Sequence, residues 1–280
     1  MNRRKFIKQS ALGTVALSTF TGFYTWQVEP FWLEFVEKLM PIKNLPSHLD
    51  GKTLMQISDL HVGDKFDYQF IIDSLKKAQV YKPDIVAYTG DYVTWRGKRQ
   101  FEQLDEVLKY TVRGKLGTVG ILGNHDYGHR WEEQWVADGV SERLQNNGID
   151  ILINEKIDIN GLSFIGIDDF WGLHFEPEKA TALHRSNEST VVLCHNPDVC
   201  DMDVWNGYQG WILSGHTHGG QIKLPFLSEP ILPVKNKRYS QGEIDLNDGR
   251  RLYINRALGH TLQLRFNVRP EITIFKLMAI

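Results

Sequence analysis

The chain has 280 residues, 42% hydrophobic and 24% charged, enough for one large α/β domain or two small ones with a sizeable core. Its formal charge is −2, but Arg3, Arg4, Lys5 and Lys8 place four cations within the first eight residues. The rest of the chain is therefore mildly acidic, at about −6, and lacks the basic footprint that general nucleic-acid binding needs.

Residues 1–28 read as an address. Asn2-Arg3-Arg4-Lys5-Phe6-Ile7-Lys8 is basic, and the stretch from Ala11 to Trp26 is apolar and uncharged; a basic start before an apolar run is the form of an export signal. The paired arginines with Phe6, Ile7 and Lys8 resemble the twin-arginine signal, whose cargo is exported already folded. That suits a metalloprotein, because metal binding is coupled to folding. The apolar stretch is short for a spanning helix, which needs ~20 residues, and no A-x-A cleavage site follows it. In residues 29–50, Phe31, Trp32, Leu33, Phe35, Val36, Leu39 and Met40 mix with Glu34, Glu37 and Lys38. This predicts an interfacial helix on a membrane, or a segment packed on the body, with Pro41 to Pro46 as linker. We favour a retained, membrane-associated N-terminus at the outer face of the cytoplasmic membrane (periplasm or cell wall), delivered by the twin-arginine export machinery. The cytoplasmic face is the alternative.

Residues 51–280 form the expected catalytic domain. Short apolar runs predict strands at Thr53–Ser58, Ile85–Thr89, Thr118–Leu122, Ser163–Ile167, Thr190–Cys194 and Trp211–Ser214, with helices over Tyr68–Tyr81, Phe101–Tyr110 and Trp131–Asn146. The C-terminal third turns to antiparallel β through Arg251–Asn255, Thr261–Phe266 and Glu271–Lys276. Strand–helix alternation followed by β argues for a mixed α/β sandwich. Cys194 and Cys200 have no zinc-finger or CxxC spacing. Cys194, in an apolar run, reads as a buried thiol, with a Cys194–Cys200 disulfide as the alternative in an oxidising compartment.

Polar clusters fall at the ends of five predicted strands: Ser58-Asp59-Leu60-His61, Gly90-Asp91, Gly123-Asn124-His125-Asp126, His195-Asn196 and Gly215-His216-Thr217-His218. Ligand sites in α/β sheets gather at the carboxyl ends of strands, so residues from 59 to 218 can meet in one crevice. Asp-x-His alone is expected about once by composition, so the ordered set carries the reading. The set offers imidazoles, carboxylates and an amide oxygen, which suits Mn²⁺, Fe or Zn²⁺ better than Mg²⁺ or Ca²⁺. The flanking glycines let the backbone turn and face the next side chain into the crevice.

In that order, the five blocks resemble the signature of the calcineurin-like metallophosphoesterases, over residues 53–275. The resemblance implies a four-layer α/β/β/α sandwich of two mixed β-sheets flanked by helices, with a dinuclear site at the sheet edges. It implies Asp59, His61, Asp91 and His218 as ligands of one divalent ion and Asp91, Asn124, His195 and His216 as ligands of the other, with Mn favoured. It implies His125 as the non-ligand histidine beside the phosphate and Asp126 as its orienting partner. The chemistry implied is attack on phosphorus by a hydroxide bridging the metals, with His125 stabilising the transition state or protonating the leaving oxygen.

Outside the blocks, His129 is the best placed substrate contact, Asp168-Asp169-Phe170-Trp171 a candidate rim, and Trp95, Arg96, Trp131, Lys237, Arg238 and Tyr239 a candidate aromatic and cationic wall. His48, His174, His184 and His260 read as surface or packing residues. Within the family, the basic start and compact size resemble bacterial membrane-associated phosphodiesterases acting on a phosphodiester or lipid-linked phosphate. The alternatives are a UDP-diacylglucosamine pyrophosphatase of lipid A synthesis and, in another class, a non-catalytic metal-binding scaffold.

Overall fold

The structure is a computed structural model that describes residues 2–63, 66–227 and 229–280. In chain order its strands are β1 (Glu34–Ile42), β2 (Thr53–Ile57), β3 (Ile85–Thr89), β4 (Gly117–Ile121), β5 (Asp150–Ile151), β6 (Glu155–Ile159), β7 (Leu162–Ile167), β8 (Ser189–Cys194), β9 (Trp211–Ser214), β10 (Gly242–Asp245), β11 (Arg251–Ile254) and β12 (Glu271–Ala279). Its α-helices are α1 (Arg3–Phe23), α2 (Tyr68–Gln79), α3 (Arg99–Leu108), α4 (Gln134–Asn146) and α5 (Pro177–Thr181). The strands form two mixed six-stranded sheets, ordered β1-β12-β2-β3-β4-β5 and β10-β11-β9-β8-β7-β6.

Alternation along the strands divides the core. On β3, Ile85 and Ala87 face the second sheet and pack with Phe164, Val191, Leu193 and Trp211, while Val86 and Tyr88 face the helices. The outer face of the first sheet packs on α2, α3 and α4 through Leu75, Leu104, Val107, Val136 and Val140. Ile165, Val192 and Ile212 cover the outer face of the second sheet with Ala180 of α5, Val199 and Trp205. Three cores thus separate four layers. Parallel strands buried on both faces read as near-continuous apolar runs, as β3, β7 and β8 do, with Thr89, Ser163, Ser189 and Thr190 as the polar exceptions. In α2, Ile71, Ile72, Leu75 and Ala78 form the buried face; Asp67 caps its first turn by accepting from Gln69 N at 2.9 Å, and Lys76 and Lys77 sit in its last turn.

The expected interfacial helix in residues 29–50 is instead β1, an edge strand paired in parallel with β12 from Glu34↔Glu271 to Ile42↔Ala279. Pro41 and Ile42 belong to that strand, so the sheet extends well N-terminal of residue 51. The C-terminal third is not simply antiparallel: β11 runs parallel to β9, and β12 is parallel to β1 but antiparallel to β2. Thr261–Phe266 is no strand; its only ladder contact among the described residues is a bridge from Phe266 to Ile222. Buried Arg265 shapes it, donating to the carbonyls of Arg256, Ala257, Gly259 and Val268 and to His260 Nδ1. None of the residues of α1 is buried, and among the described residues no helix is long and apolar enough to cross a membrane.

Candidate metal centre

All five polar clusters meet. Asp59 and His61 follow β2, Asp91 follows β3, Asn124 and His125 follow β4, His195 follows β8, and His216 and His218 follow β9, so both sheets point their carboxyl ends into one crevice. Asp59, His61, Asp91, His216 and His218 all hold left-handed backbone, with φ between 48° and 70°. Such strain costs about 1–3 kcal/mol per non-glycine residue and persists where the surroundings enforce it. The glycine expectation is refined here. Gly90, at φ 91°, does supply a left-handed turn, but Gly215 supplies space: a Cβ there would lie 2.1 Å from Ser58 Oγ and 2.2 Å from Asp59 Oδ2.

Three candidate groups result, Asp59-His61-His218, His61-Asp91-His125 and Asp91-His195-His216, each with donor atoms within 4.8 Å of one another; the middle one shares His61 and Asp91 with the other two and brings His125 to their junction. In the first, His61 Nε2 lies 2.9 Å from His218 Nε2, and Asp59 Oδ1 lies 3.1 Å from His218 Nε2. Asp91 Oδ2 lies 3.5 Å from His61 Nε2 and 3.2 Å from His195 Nε2, so one oxygen is shared between the groups.

Surrounding hydrogen bonds decide which nitrogen faces the crevice. His195 Nδ1 donates to the Thr89 carbonyl at 2.6 Å, leaving the buried Nε2, which makes no hydrogen bond, turned to Asp91 Oδ2 3.2 Å away. His216 donates through Nε2 to the Pro233 carbonyl at 3.1 Å, which leaves its Nδ1 for the crevice. Ser58 Oγ donates to Asp59 Oδ2 at 2.5 Å and Thr89 Oγ1 donates to Ser58 at 2.7 Å. Asn124 Oδ1 is likewise buried without a partner. An unsatisfied buried acceptor costs about 1–3 kcal/mol. Bare lone pairs converging from nitrogen and carboxylate oxygen are the chemistry a pair of divalent cations needs, so the residues fit such ions.

Burial opposes ionisation of Asp59, but His218 and His61 hold its carboxyl well below the usual carboxylate range. Burial likewise opposes ionisation of Asp91, and His195 and His125 overcome it, again lowering its pKa. Burial and the charge of His195 push His216 down to about 3. His125 is half-buried, and burial lowers it also. Its ring lies edge-on to His61 with centroids 5.0 Å apart, and its backbone N–H donates to Asp91 Oδ1 at 2.9 Å.

Among the described residues no hydrogen bond joins the Asp126 carboxylate to His125. Its Oδ2 accepts from the backbone of Asp91 and Gly123, each at 2.9 Å, and its Oδ1 from Tyr92 at 2.8 Å and Val93 at 3.2 Å. The carboxylate is a clamp on the Asp91 loop.

The crevice opens into a cavity of about 360 Å³ with Asp91, His61 and His125 at its base and Trp131, Trp171, Ile231, Leu262 and Leu264 among its walls. Trp131 and Trp171 stack at 4.7 Å with 15° between planes, and Trp171 meets His216 edge-on at 4.7 Å. Of the expected wall, Trp131 is in place. Trp95 and Arg96 line an adjoining groove with His125 and His129. Lys237 is turned to the carbonyls of Leu232 and Val234, Tyr239 to Asp201, and Arg238 to the carbonyl of Asp245. Trp171 rims the cavity, whereas Asp168 and Asp169 are buried beneath it, Asp168 accepting from the Tyr127 hydroxyl at 2.7 Å. Cys194 and Cys200 are both free and buried. The roles of Thr89, Pro233 and Ser58 escaped the sequence reading, two of them because they act through a carbonyl that any residue could supply.

Candidate metal ligands of mixed nitrogen and oxygen character at the edges of two mixed β-sheets point to a metal-dependent hydrolase, and comparison gives it a family. Residues 52–220 match the model of the calcineurin-like phosphoesterases. The Bacillus subtilis protein YkuE, described as an uncharacterized metallophosphoesterase, is 31% identical, with 99% of this chain and 98% of that protein covered. The Escherichia coli phosphodiesterase YaeI is 29% identical over 99% of this chain and 100% of its own length. The Chlamydia muridarum UDP-2,3-diacylglucosamine pyrophosphatase LpxG is 24% identical, covering 95% of this chain and 96% of its own. The chain belongs to the calcineurin-like phosphoesterase family and is a metal-dependent phosphoester hydrolase.

Proposed function

We propose that this chain is a dinuclear phosphodiesterase, preferring manganese, that leaves the cell folded by the twin-arginine route and stays at the outer face of the cytoplasmic membrane. The observation that carries the catalytic part is the sharing of Asp91 Oδ2 between the first and third candidate groups, 3.5 Å and 3.2 Å from their histidines, beneath His125. Asp59, His61, His218 and Asp91 would hold one ion, and Asp91, Asn124, His195 and His216 the other. Bound there, two divalent ions would supply Lewis acidity that makes water nucleophilic at neutral pH and positive charge that offsets the charge of the phosphoryl group. The Asn124 amide fixes the side from which phosphate approaches. His125, kept neutral at pH 7 by its burial, offers an N–H to a phosphoryl or leaving oxygen. Trp131 and Trp171 exclude water from one flank and contact the alcohol portion of the ester. The name of YaeI supports the phosphodiesterase reading; the basic start of α1 supports the location.

One observation favours a second reading: the walls Ile222, Pro230, Ile231, Leu262 and Leu264 are apolar, as a diacylated sugar nucleotide requires, and LpxG is named for that activity. That nucleotide lipid is made on the cytoplasmic side, which conflicts with export. Metal-loaded protein incubated with membrane lipids and nucleotide-lipids, with mass spectrometry of what disappears, separates the two. His125→Ala should keep normal metal content and lose at least ~10²-fold in turnover of a bis-aryl phosphate; unchanged turnover would overturn the role given to His125.

A further inference from the structure

We propose that the rim of the metal-centre cavity is a bilayer-docking surface, so that the cavity mouth opens onto the membrane rather than onto free solvent. The inference rests on reading that cavity as the substrate site. Residues 224–234, Leu-Pro-Phe-Leu-Ser-Glu-Pro-Ile-Leu-Pro-Val, carry one charge, Glu229, which pairs with Lys223 at 3.2 Å. The neighbouring side chains stand in solvent: Phe226 is 105% exposed, Leu227 62% and Ile231 74%. Phe226 also holds a left-handed backbone at φ 67°, a conformation that favours small polar residues. Leu262, 58% exposed, borders the same cavity from another segment. Scattered apolar residues on a surface mean little, but here Ile222, Ile231, Leu262 and Leu264 line the cavity and Phe226 and Leu227 extend the exposed apolar run along the segment that carries Ile231, and a contiguous apolar surface beside a site marks an interaction surface.

The chain itself indicates what covers this surface. Gln221 Nε2 donates to the carbonyls of Leu262 and Leu264, each at 2.8 Å, joining the two segments. The second segment then grips the end of the N-terminal helix: Arg265 N donates to Thr25 O at 3.0 Å and Gln263 Nε2 to Trp26 O at 2.9 Å. The helix therefore leaves the body at the rim of the mouth. It buries none of its residues in this chain, its apolar stretch continues that surface, and it begins with Arg3, Arg4, Lys5 and Lys8. Those cations complement anionic lipid headgroups, and apolar side chains beside them suit the headgroup–acyl boundary. The opposite end of the strands is different in character, with Lys43, Glu188 and Arg251 around a separate cavity.

The test uses the full chain and vesicles of phosphatidylglycerol and phosphatidylethanolamine. Cys194 and Cys200 are buried, so an added cysteine can carry an environment-sensitive fluorophore: Phe226→Cys at the rim, Asn187→Cys at the opposite end. With vesicles, the label at 226 should shift to the blue and be quenched severalfold more by spin-labelled acyl chains than the label at 187. Phe226→Glu with Leu227→Glu should lose vesicle partitioning about tenfold while hydrolysing a water-soluble bis-aryl phosphate as the parent does. A label at 226 that stays in water while the protein floats with vesicles overturns the proposal, leaving the helix alone as anchor. So does a parent dimer that the double variant splits, because the apolar surface would then cover a second copy. A parent that labels as expected but hydrolyses no phosphate ester overturns the phosphodiesterase reading instead.

Discussion

Asp126 lies beside His125 in sequence, yet its four hydrogen bonds reach back to Asp91, Tyr92, Val93 and Gly123. Replacing it with Ala strands buried N–H groups at about 1–3 kcal/mol each. We expect Asp126→Ala to cost at least about 4 kcal/mol, lowering the thermal midpoint by roughly 8–16 °C, and to weaken metal binding, because the loop it clamps carries Asp91, the candidate shared ligand. A residue that only oriented His125 would leave the midpoint and metal content intact, so calorimetry with metal analysis separates the two roles. Asp126→Asn, which keeps one acceptor, should fall between. The convergence of these polar clusters was legible at this scale because imidazole, carboxylate and amide at strand ends have few other uses. The role of Asp126 was not, because its partners are set by how β3 and β4 lie side by side.

At the scale of elements, Asp84 ties the start of β2 to the start of β3. Its carboxylate accepts from Thr53 N at 2.9 Å and from Thr53 Oγ1 at 3.1 Å, and lies 3.6 Å from Lys52 and 3.9 Å from Lys115. Burial opposes its ionisation, but these groups outweigh burial and hold the carboxyl below the ordinary value. A lowered folded pKa gives stability that is complete above the unfolded value, about 3.9, and is lost as pH falls through the folded one. Asp84→Asn should therefore lower the thermal midpoint at pH 7 and leave it unchanged near pH 2; an equal loss at both would assign the effect to packing. Alternation and apolar runs made β2, β3, β4, β7, β8 and β9 readable within about a residue or two at each end. They misled at β1. Phe35, Leu39 and Met40 with interspersed charges fit a helical face, but the segment is pulled straight by partners over two hundred residues away. Glu34 pairs with Arg256 at 2.8 Å, and Arg269 donates to the carbonyls of Trp32 and Leu33, each at 3.0 Å. Thr261–Phe266 fails as a strand for a related reason: Arg265 competes for the carbonyls around it.

For the whole molecule, the candidate ligands draw on both sheets: those at the ends of β2, β3 and β4 face those at the ends of β8 and β9. Ions bound there should stabilise the native sandwich by about 2.7 kcal/mol per site at a hundredfold excess over Kd. Chelation of the metal-loaded protein should lower its thermal midpoint by roughly 5–10 °C per ion, with far-UV circular dichroism at 25 °C unchanged, because the cores between the layers contain no ligand. An unchanged midpoint would show that the sites do not bridge the sheets. By itself the sequence determined which polar clusters stand at strand ends, the order of the central strands along the chain and the layered α/β class, since each rests on local chemistry and short-range periodicity. Only the tertiary structure decided that residues 34–42 join the sheet, that Asp126 clamps a loop, and that carbonyls of Thr89 and Pro233 orient two ligands. Those depend on which backbone groups meet across long separations, and a backbone carbonyl leaves no mark in the residue letters.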